Sequence, residues 1–305
     1  MKNIGPYEPH KFLGSGSFSG VWECQHMTTG ESVACKVIDI NTAISDQVYY
    51  HFRNELLIHS KIHHSSITQL KDIIIDKDNI YIFIELCDGG DLNDIVQDVG
   101  GLTEQEAKHY FHQIIDALSY IHKLGVAHRD VKLENILITA DDDAKLTDFG
   151  LCKQQRGNDP MLTTCGTLVY AAPEIIREEP YNGMKADIWS AGIVLYAMIA
   201  AHFPWVVPDD LPPDILMKET AKQIASGDII LPDGISYELQ NLLGNMLNVD
   251  PEERPTADEI LQHPWFADLN DSDEYDEKPN NDIINLVENL LNDLDAKREA
   301  RKQKK

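Results

Sequence analysis

The stretch that constrains this chain most is VAHRDVKLENILI, Val126 to Ile138. A charged island, His128 to Asn135, stands between two apolar segments. The leading segment, Ile114 to Leu124, has apolar residues at helical spacing. The trailing one, Asn135 to Ile138, is short, β-branched and bounded by the turn Asp141, Asp142, Asp143, which predicts a strand. Asp130, Lys132 and Asn135 are therefore held in a loop between rigid elements. Those residue types suit phosphoryl transfer, where positioning and charge neutralisation matter more than covalent chemistry. Asp130 can orient an attacking hydroxyl and accept its proton, and Lys132 can offset charge on the moving phosphoryl group. Asn135 can offer an amide oxygen to Mg2+. A surface loop with a capping Asn would show the same residues, so the rest of the chain has to decide.

Charge narrows the choice. The chain has 305 residues, 43% apolar and 25% charged, enough for two lobes or domains with sizeable cores. Its net charge of −25, with pI near 4.7, repels polyphosphate backbones. Nucleic acid is thereby excluded as an expected partner, and basic peptides are favoured. Cys24, Cys35, Cys87, Cys152 and Cys165 form no CxxC pair, which predicts reduced, mostly packed thiols in an intracellular protein. The start, MKNIGPYEPH, lacks an apolar signal core and a Gly for myristoylation. Ile188 to Ala201 is the longest apolar run, short of the roughly 20 residues that span a bilayer, and predicts a buried helix.

Near the start, Phe12 to Val21 reads FLGSGSFSGV. Gly14 and Gly16 allow close backbone approach to phosphates. A dinucleotide-binding turn would keep a third glycine and open into a helix. Here Ser19 takes that place, and a Thr-Thr-Gly turn at 28–30 leads to SVACKVI, so a hairpin flap fits better. Lys36 lies inside that second strand. Either it sits at an edge and snorkels to solvent, or it is paired. Glu55, within the helical pattern Val48 to Ile62, is the candidate partner. Apolar runs at Ile73 to Ile75 and Ile80 to Leu86 complete a small strand-rich lobe. CDGGD, Cys87 to Asp91, then marks the domain boundary, and Thr103 with Glu106 reads as a capping box opening a helix to Leu124.

After the central loop, KLTDFGLCK delivers Asp148 at the end of a short strand. Alone this is a common Asp-x-Gly turn; beside Asp130 and Asn135, across one predicted hairpin, Mg2+ ligation is the preferred reading. Residues 152–170 are polar and irregular and carry Thr163, Thr164 and Thr167; YAAPE follows. Glu174 is expected to pair with Arg254 of DPEERP as a structural ion pair.

Together these residues resemble a eukaryotic-type protein kinase from about Tyr7 to Phe266. Lys132, and GT before YAAPE, resemble the serine/threonine branch. HPWF at 263–266 and the spacing are similar to the calcium/calmodulin-dependent and AMP-activated-kinase-related group. The resemblance implies an α+β, bilobal fold with a small β-rich N-lobe (7–86), a hinge (87–91) and a larger, mostly helical C-lobe (92–266). It implies transfer of the ATP γ-phosphate to Ser or Thr of proteins, with ATP and Mg2+ as cofactors. For ATP it points to Leu13, Gly14, Ser15, Gly16, Ser17, Phe18, Val21, Ala34, Lys36, Glu55, Glu85, Cys87 and Asp91. For Mg2+ it points to Asn135 and Asp148, and for catalysis to Asp130 and Lys132. Thr163 stands where similar kinases carry an activating phosphate, added by an upstream kinase or by autophosphorylation and received by His51, Arg129 and Lys153. Asp91, Glu134 and Thr167 are implied in substrate contact, the two acids favouring basic residues upstream. Ser19 for the third glycine, Leu133 for a proline of many relatives and the long stretch Val206 to Glu219 depart from the family pattern.

Past Phe266 the chain turns acidic, and residues 267–282 read as a solvated linker. Residues 283–305 then predict an amphipathic helix with Ile283, Val287, Leu290 and Leu294 on one face and a basic end. Packing on the C-lobe and a partner-binding or autoinhibitory role both fit that stripe. The expected location is cytoplasmic, and the basic end would also serve nuclear import.

Overall fold

The computed structural model describes residues 2–15, 19–46, 48–149, 168–206, 211–269 and 280–303, and the backbone path of 153–154. The chain divides into two compact units, Met1–Cys87 with Tyr275–Lys305, and Asp88–Glu274.

The first unit is built on an antiparallel sheet of β1 (Tyr7–Ser15), β2 (Ser19–His26), β3 (Ser32–Asp39), β4 (Leu70–Ile75) and β5 (Asn79–Glu85), in the order β1-β2-β3-β5-β4. Alternation along β3 and β5 sorts the side chains into two layers. Val33, Cys35, Tyr81 and Phe83 join Cys24 and Tyr7 on one face. Ala34, Ile38, Ile80, Ile82 and Ile84 face the other way, into the larger core. Burial pushes the Cys24 and Cys35 thiols up, so they behave as small packed hydrophobes. Asp76 closes the β4–β5 turn by accepting the N–H groups of Asp78 and Asn79, each at 2.8 Å, and the Tyr81 hydroxyl. These bonds hold its carboxyl below the usual range.

Asp39 caps a single-turn helix α1 (Ile40–Ala43), and α2 (Tyr49–His59) follows. The unit is completed from far along the chain by α10 (Asn281–Lys302), capped by Asn280. Its Ile283, Val287, Leu290, Leu291 and Leu294 enter the same core as Phe52 and Leu56. The stripe read from the sequence is therefore buried, but against α2 and β4 of the first unit rather than on the C-lobe. A stripe announces that a face is covered without naming what covers it.

In the second unit, α3 (Leu92–Val99) is capped by Asp91, and α4 (Glu104–Lys123) opens with the Thr103–Glu106 capping box. Short strands follow: β6 (Val126–Ala127), β7 (Ile136–Ile138), β8 (Ala144–Leu146) and β9 (Lys153–Gln154), pairing as β6-β9 and β7-β8. Then come α5 (Pro173–Ile176), α6 (Gly183–Ala200), α7 (Pro213–Ser226), α8 (Tyr237–Met246) and α9 (Ala257–Leu261). The apolar run of α6 is buried on nearly every side and packs on α4 and α8. Among the described residues no helix is long and apolar enough to cross a membrane. The paired glycines of CDGGD are explained by the neighbouring strand. Gly89 donates to the Ile138 carbonyl at 2.9 Å, and Ile138 donates to the Gly90 carbonyl at 2.9 Å. A Cβ on Gly89 would lie 2.8 Å from that Ile138 oxygen, and Gly90 holds φ +83°, so neither position tolerates a side chain well.

Candidate active site

In the first unit, β3 is flanked by β2 and β5, and Lys36 pairs in register with Val21 and Ile82. An interior strand rules out the edge alternative for this lysine. Lys36 shares the face of Ala34 and Ile38, and its ammonium lies 3.6 Å from the Glu55 carboxylate, each side chain 21% exposed. A lysine on that face is retained because α2 presents an acid to it. Ala34 is buried, and Glu85 ends β5 with its carboxylate accepting the Gln69 N–H at 3.2 Å. Cys87 is half-buried, and Leu13, Gly14 and Ser15 end β1. His51 is exposed on α2, one turn before Glu55. Gly16, Ser17 and Phe18 lie outside the described residues.

In the second unit, the charged island forms the predicted loop, closed by a short 3-10 turn over Leu133–Asn135. Asp130 is its centre. One carboxylate oxygen accepts the Lys132 ammonium at 2.8 Å and the Asn135 amide nitrogen at 2.9 Å. The same Asn135 nitrogen reaches the Asp130 carbonyl at 2.8 Å, which turns the amide oxygen to the other side. The β7–β8 hairpin brings Asp148 to this end of the loop: Ile136 pairs with Leu146, and the Thr147 N–H donates to the Asn135 carbonyl at 3.0 Å. Asp148 itself holds a left-handed backbone, φ 64°.

The loop is strained and something must hold it. Arg129 has φ 69°, a conformation costing a non-glycine on the order of 1–3 kcal/mol. Asp187, 1% exposed near the start of α6, is the restraint. Its two oxygens accept the N–H groups of His128 and Arg129 at 2.7 Å each, and His122 Nε2 lies 2.9 Å away. Hydrogen bonds to a charged acceptor contribute roughly 1.5–3 kcal/mol each, so two of them outweigh the strain. His128 is fully buried, and burial pushes its imidazole below its ordinary value, towards the neutral form. Its Nε2 donates to the Thr147 carbonyl at 3.1 Å, its Nδ1 accepts the Asp130 N–H at 3.3 Å, and its ring meets Phe149 edge-on at 5.0 Å. One imidazole thus joins the loop to the segment that leads from β8 to Asp148.

Tyr170, buried in YAAPE, donates to the Glu134 carboxylate at 3.1 Å and accepts the Leu133 N–H at 3.4 Å. Burial, then Glu134, pushes its phenol well above the usual value, so it remains a donor. Glu134 is exposed with its carboxylate held, whereas Asp91 spends one oxygen capping α3 at 3.0 Å from the Asp94 N–H. The Arg129 guanidinium donates to the Tyr181 hydroxyl at 3.1 Å. Glu174 and Arg254 form the expected pair, bidentate at 2.7 Å and 2.7 Å. Thr163, Thr167 and the Lys153 side chain lie outside the described residues. Asp187 and Tyr170 were absent from the sequence reading of the site. The available sign for Asp187 was an acid set beside the longest apolar run; a carboxylate on a helix that is otherwise buried must be paired.

Such a loop can hold a hydroxyl between a carboxylate and a cation, the arrangement that phosphoryl transfer requires. A family model described as "Protein kinase domain" matches residues 7–266, and the chain belongs to that family. It is 35% identical over 267 residues to CBL-interacting serine/threonine-protein kinase 8 of Arabidopsis thaliana, covering 87% of this chain and 58% of that protein. It is 38% identical over 262 residues to maternal embryonic leucine zipper kinase of Xenopus tropicalis, covering 85% and 39% respectively. With CBL-interacting protein kinase 33 of rice (Oryza sativa subsp. japonica) identity is 33% over 298 residues, 97% of this chain and 62% of the relative. The chain thus spans less than two thirds of the length of these curated relatives.

Proposed function

We propose that this chain is a serine/threonine protein kinase that moves the γ-phosphoryl group of ATP onto Ser or Thr hydroxyls of protein substrates. The observation that carries the reading is Asp130. Its carboxylate is fixed by Lys132 and Asn135, and its backbone by His128, in a loop that Asp187 restrains. A carboxylate so held can receive a hydroxyl and take its proton as the oxygen attacks. Lys132, already at that carboxylate, offsets charge on the moving group. Lys36, paired with Glu55, would anchor phosphate oxygens.

Protein kinase domains use ATP and Mg2+ in general, and the residues here fit the metal. With its amide nitrogen committed to Asp130, Asn135 has its oxygen to offer a cation, and Thr147, the residue before Asp148, donates its N–H to the Asn135 carbonyl, which supports Asp148 as the second ligand. Mg2+, when bound, would neutralise charge on the phosphates.

Substrate choice follows from charge. Glu134 is exposed, with its carboxylate oriented by Tyr170, and Asp91 stands at the start of α3. Where some similar kinases carry a further acid in the buried helix, α6 has Ala197. The expected preference is Arg three residues before the acceptor, with weaker selection at two before. The test is transfer from Mg-ATP to an oriented Ser/Thr peptide library. Selection for acids, or for a following proline, would overturn the preference, and transfer to no peptide or protein would overturn the activity.

Thr163 is proposed as the switch. A phosphate there adds about −2 charge, which Arg129 and Lys153 would receive through charge-assisted hydrogen bonds. Thr163→Ala is expected to lower activity by about tenfold or more, within the usual range of coupling between sites, and Thr164→Ala far less. Full activity of Thr163→Ala protein, shown by mass spectrometry to be unphosphorylated, would remove the switch.

A further inference from the structure

The helix that bears Glu55 is poorly specified by its own sequence. α2 has 11 residues, a length that is marginal for an isolated helix in water. Val48 at its N-cap makes no side-chain cap bond, and its first turn contains no acid. Its starting end is instead held by α10. The Tyr49 hydroxyl donates to the Asp295 carboxylate. The Arg298 guanidinium lies over the rings of Tyr49 at 4.7 Å and Tyr50 at 5.0 Å. It also donates to Asp46 at 2.6 Å and to the Tyr50 hydroxyl at 3.4 Å. Beneath these contacts, Val287, Leu290, Leu291 and Leu294 share one core with Phe52 and Leu56.

Arg298 separates from the rest of the basic end in one respect. It is 9% exposed, whereas Lys297, Arg301 and Lys302 are exposed. A guanidinium is taken out of water to that extent only where stacking and hydrogen bonds replace its hydration. Asp295, in turn, accepts from the hydroxyl of Tyr49, the first residue of α2.

We infer that α10 is an intramolecular positioning element for the Glu55 helix, with Arg298 and Asp295 as its positioning residues. The role rests on the kinase reading above, because α10 acts on that reaction through Glu55 and Lys36. The Lys36–Glu55 pair, at 3.6 Å, engages α2 past its middle and not at its starting end. Loss of the α10 contacts lets the start of α2 fray, and Glu55 drifts from Lys36.

The experiment uses the full chain with Arg298→Ala, Arg298→Lys, Glu55→Gln and the double variant of Arg298→Ala with Glu55→Gln. Arg298→Ala is expected to lower kcat/KM for a peptide by about tenfold, and Arg298→Lys, which keeps the cation over the rings, to restore it to within about threefold of wild type. In the Glu55→Gln background the further loss on Arg298→Ala should be less than about twofold, since both changes act on one pair. Hydrogen exchange should quicken at the α2 amides of Arg298→Ala while β2, β3 and β5 keep their protection. Tyr49→Phe removes the hydroxyl that meets Asp295 of α10 and Arg53 of α2 and leaves the ring under Arg298; it should shift α2 exchange the same way, even where Arg298→Ala fails to fold. Equal penalties in both backgrounds, or α2 protection unchanged in Arg298→Ala and Tyr49→Phe, would overturn the inference. A wild-type chain that transfers no phosphate refutes the kinase reading instead, and the exchange measurement then decides the role of α10 by itself.

Discussion

Asp130→Asn protein should fold normally and transfer phosphate about 10²- to 10⁴-fold more slowly than wild type, the usual contribution of a positioned base. The substitution keeps the shape of the side chain and one acceptor oxygen, so the Asn135 contact can persist. What it removes is the negative charge that draws Lys132 and the basicity that takes the hydroxyl proton. The loop itself is restrained through backbone N–H groups bound to Asp187, none of which involves the Asp130 side chain. Melting temperature should therefore move little. Steady-state kinetics beside a thermal melt is the measurement, and a near-wild-type rate would refute the assignment of Asp130. Asp187→Asn is the companion. It weakens the restraint on Arg129, so activity and stability should fall together, which separates a positioning carboxylate from the reacting one.

Most of the residues proposed for the chemistry could be placed on their elements because each sits within a short motif whose local pattern fixes that element. Lys36 was visible as a charge inside an apolar strand, and Glu55 as the acid of the helix that followed. The register of β3 between β2 and β5 then decided between an edge lysine and a paired one. Thr103 with Glu106, and Glu174 with Arg254, were readable for a similar reason: a cap has fixed spacing, and an arginine in a Pro-flanked turn needs a partner.

The unread part is long-range. Asp187 restrains Arg129 from far along the chain, and nothing local marks an acid at a helix start as a backbone restraint rather than a cap. Tyr170 was seen as a letter of YAAPE, but its bond to Glu134 depends on the path between them. The placement of α10 failed in the same way. Periodicity named the buried face, whereas the choice of α2 and β4 as its cover depends on aromatic residues, Tyr49 and Tyr50, that pattern reading treats as ordinary members of another helix.

The largest loss of stability is expected at Arg254. The guanidinium is 0% exposed and the Glu174 side chain 4%, so water screens neither charge. Two parallel bonds of 2.7 Å satisfy both carboxylate oxygens. The remaining donors reach the carbonyls of Asn248 at 2.8 Å and Lys185 at 3.0 Å, with the Trp189 ring 5.1 Å away. Arg254→Ala strands the Glu174 carboxylate and unbonds those carbonyls, which should cost about 3–5 kcal/mol, the usual penalty for breaking a buried pair. Against a total of roughly 5–15 kcal/mol for a folded domain, that is enough to leave a large unfolded fraction on mild heating. Arg254→Lys should rescue little, because a single ammonium cannot span both oxygens and the carbonyls. Combining Glu174→Gln with Arg254→Met removes both charges and should be milder than Arg254→Ala, since no isolated charge is left in the interior. Urea midpoints for the three proteins decide the matter. A loss below about 1 kcal/mol in Arg254→Ala, the range of an exposed pair, would show that the site relaxes and admits water.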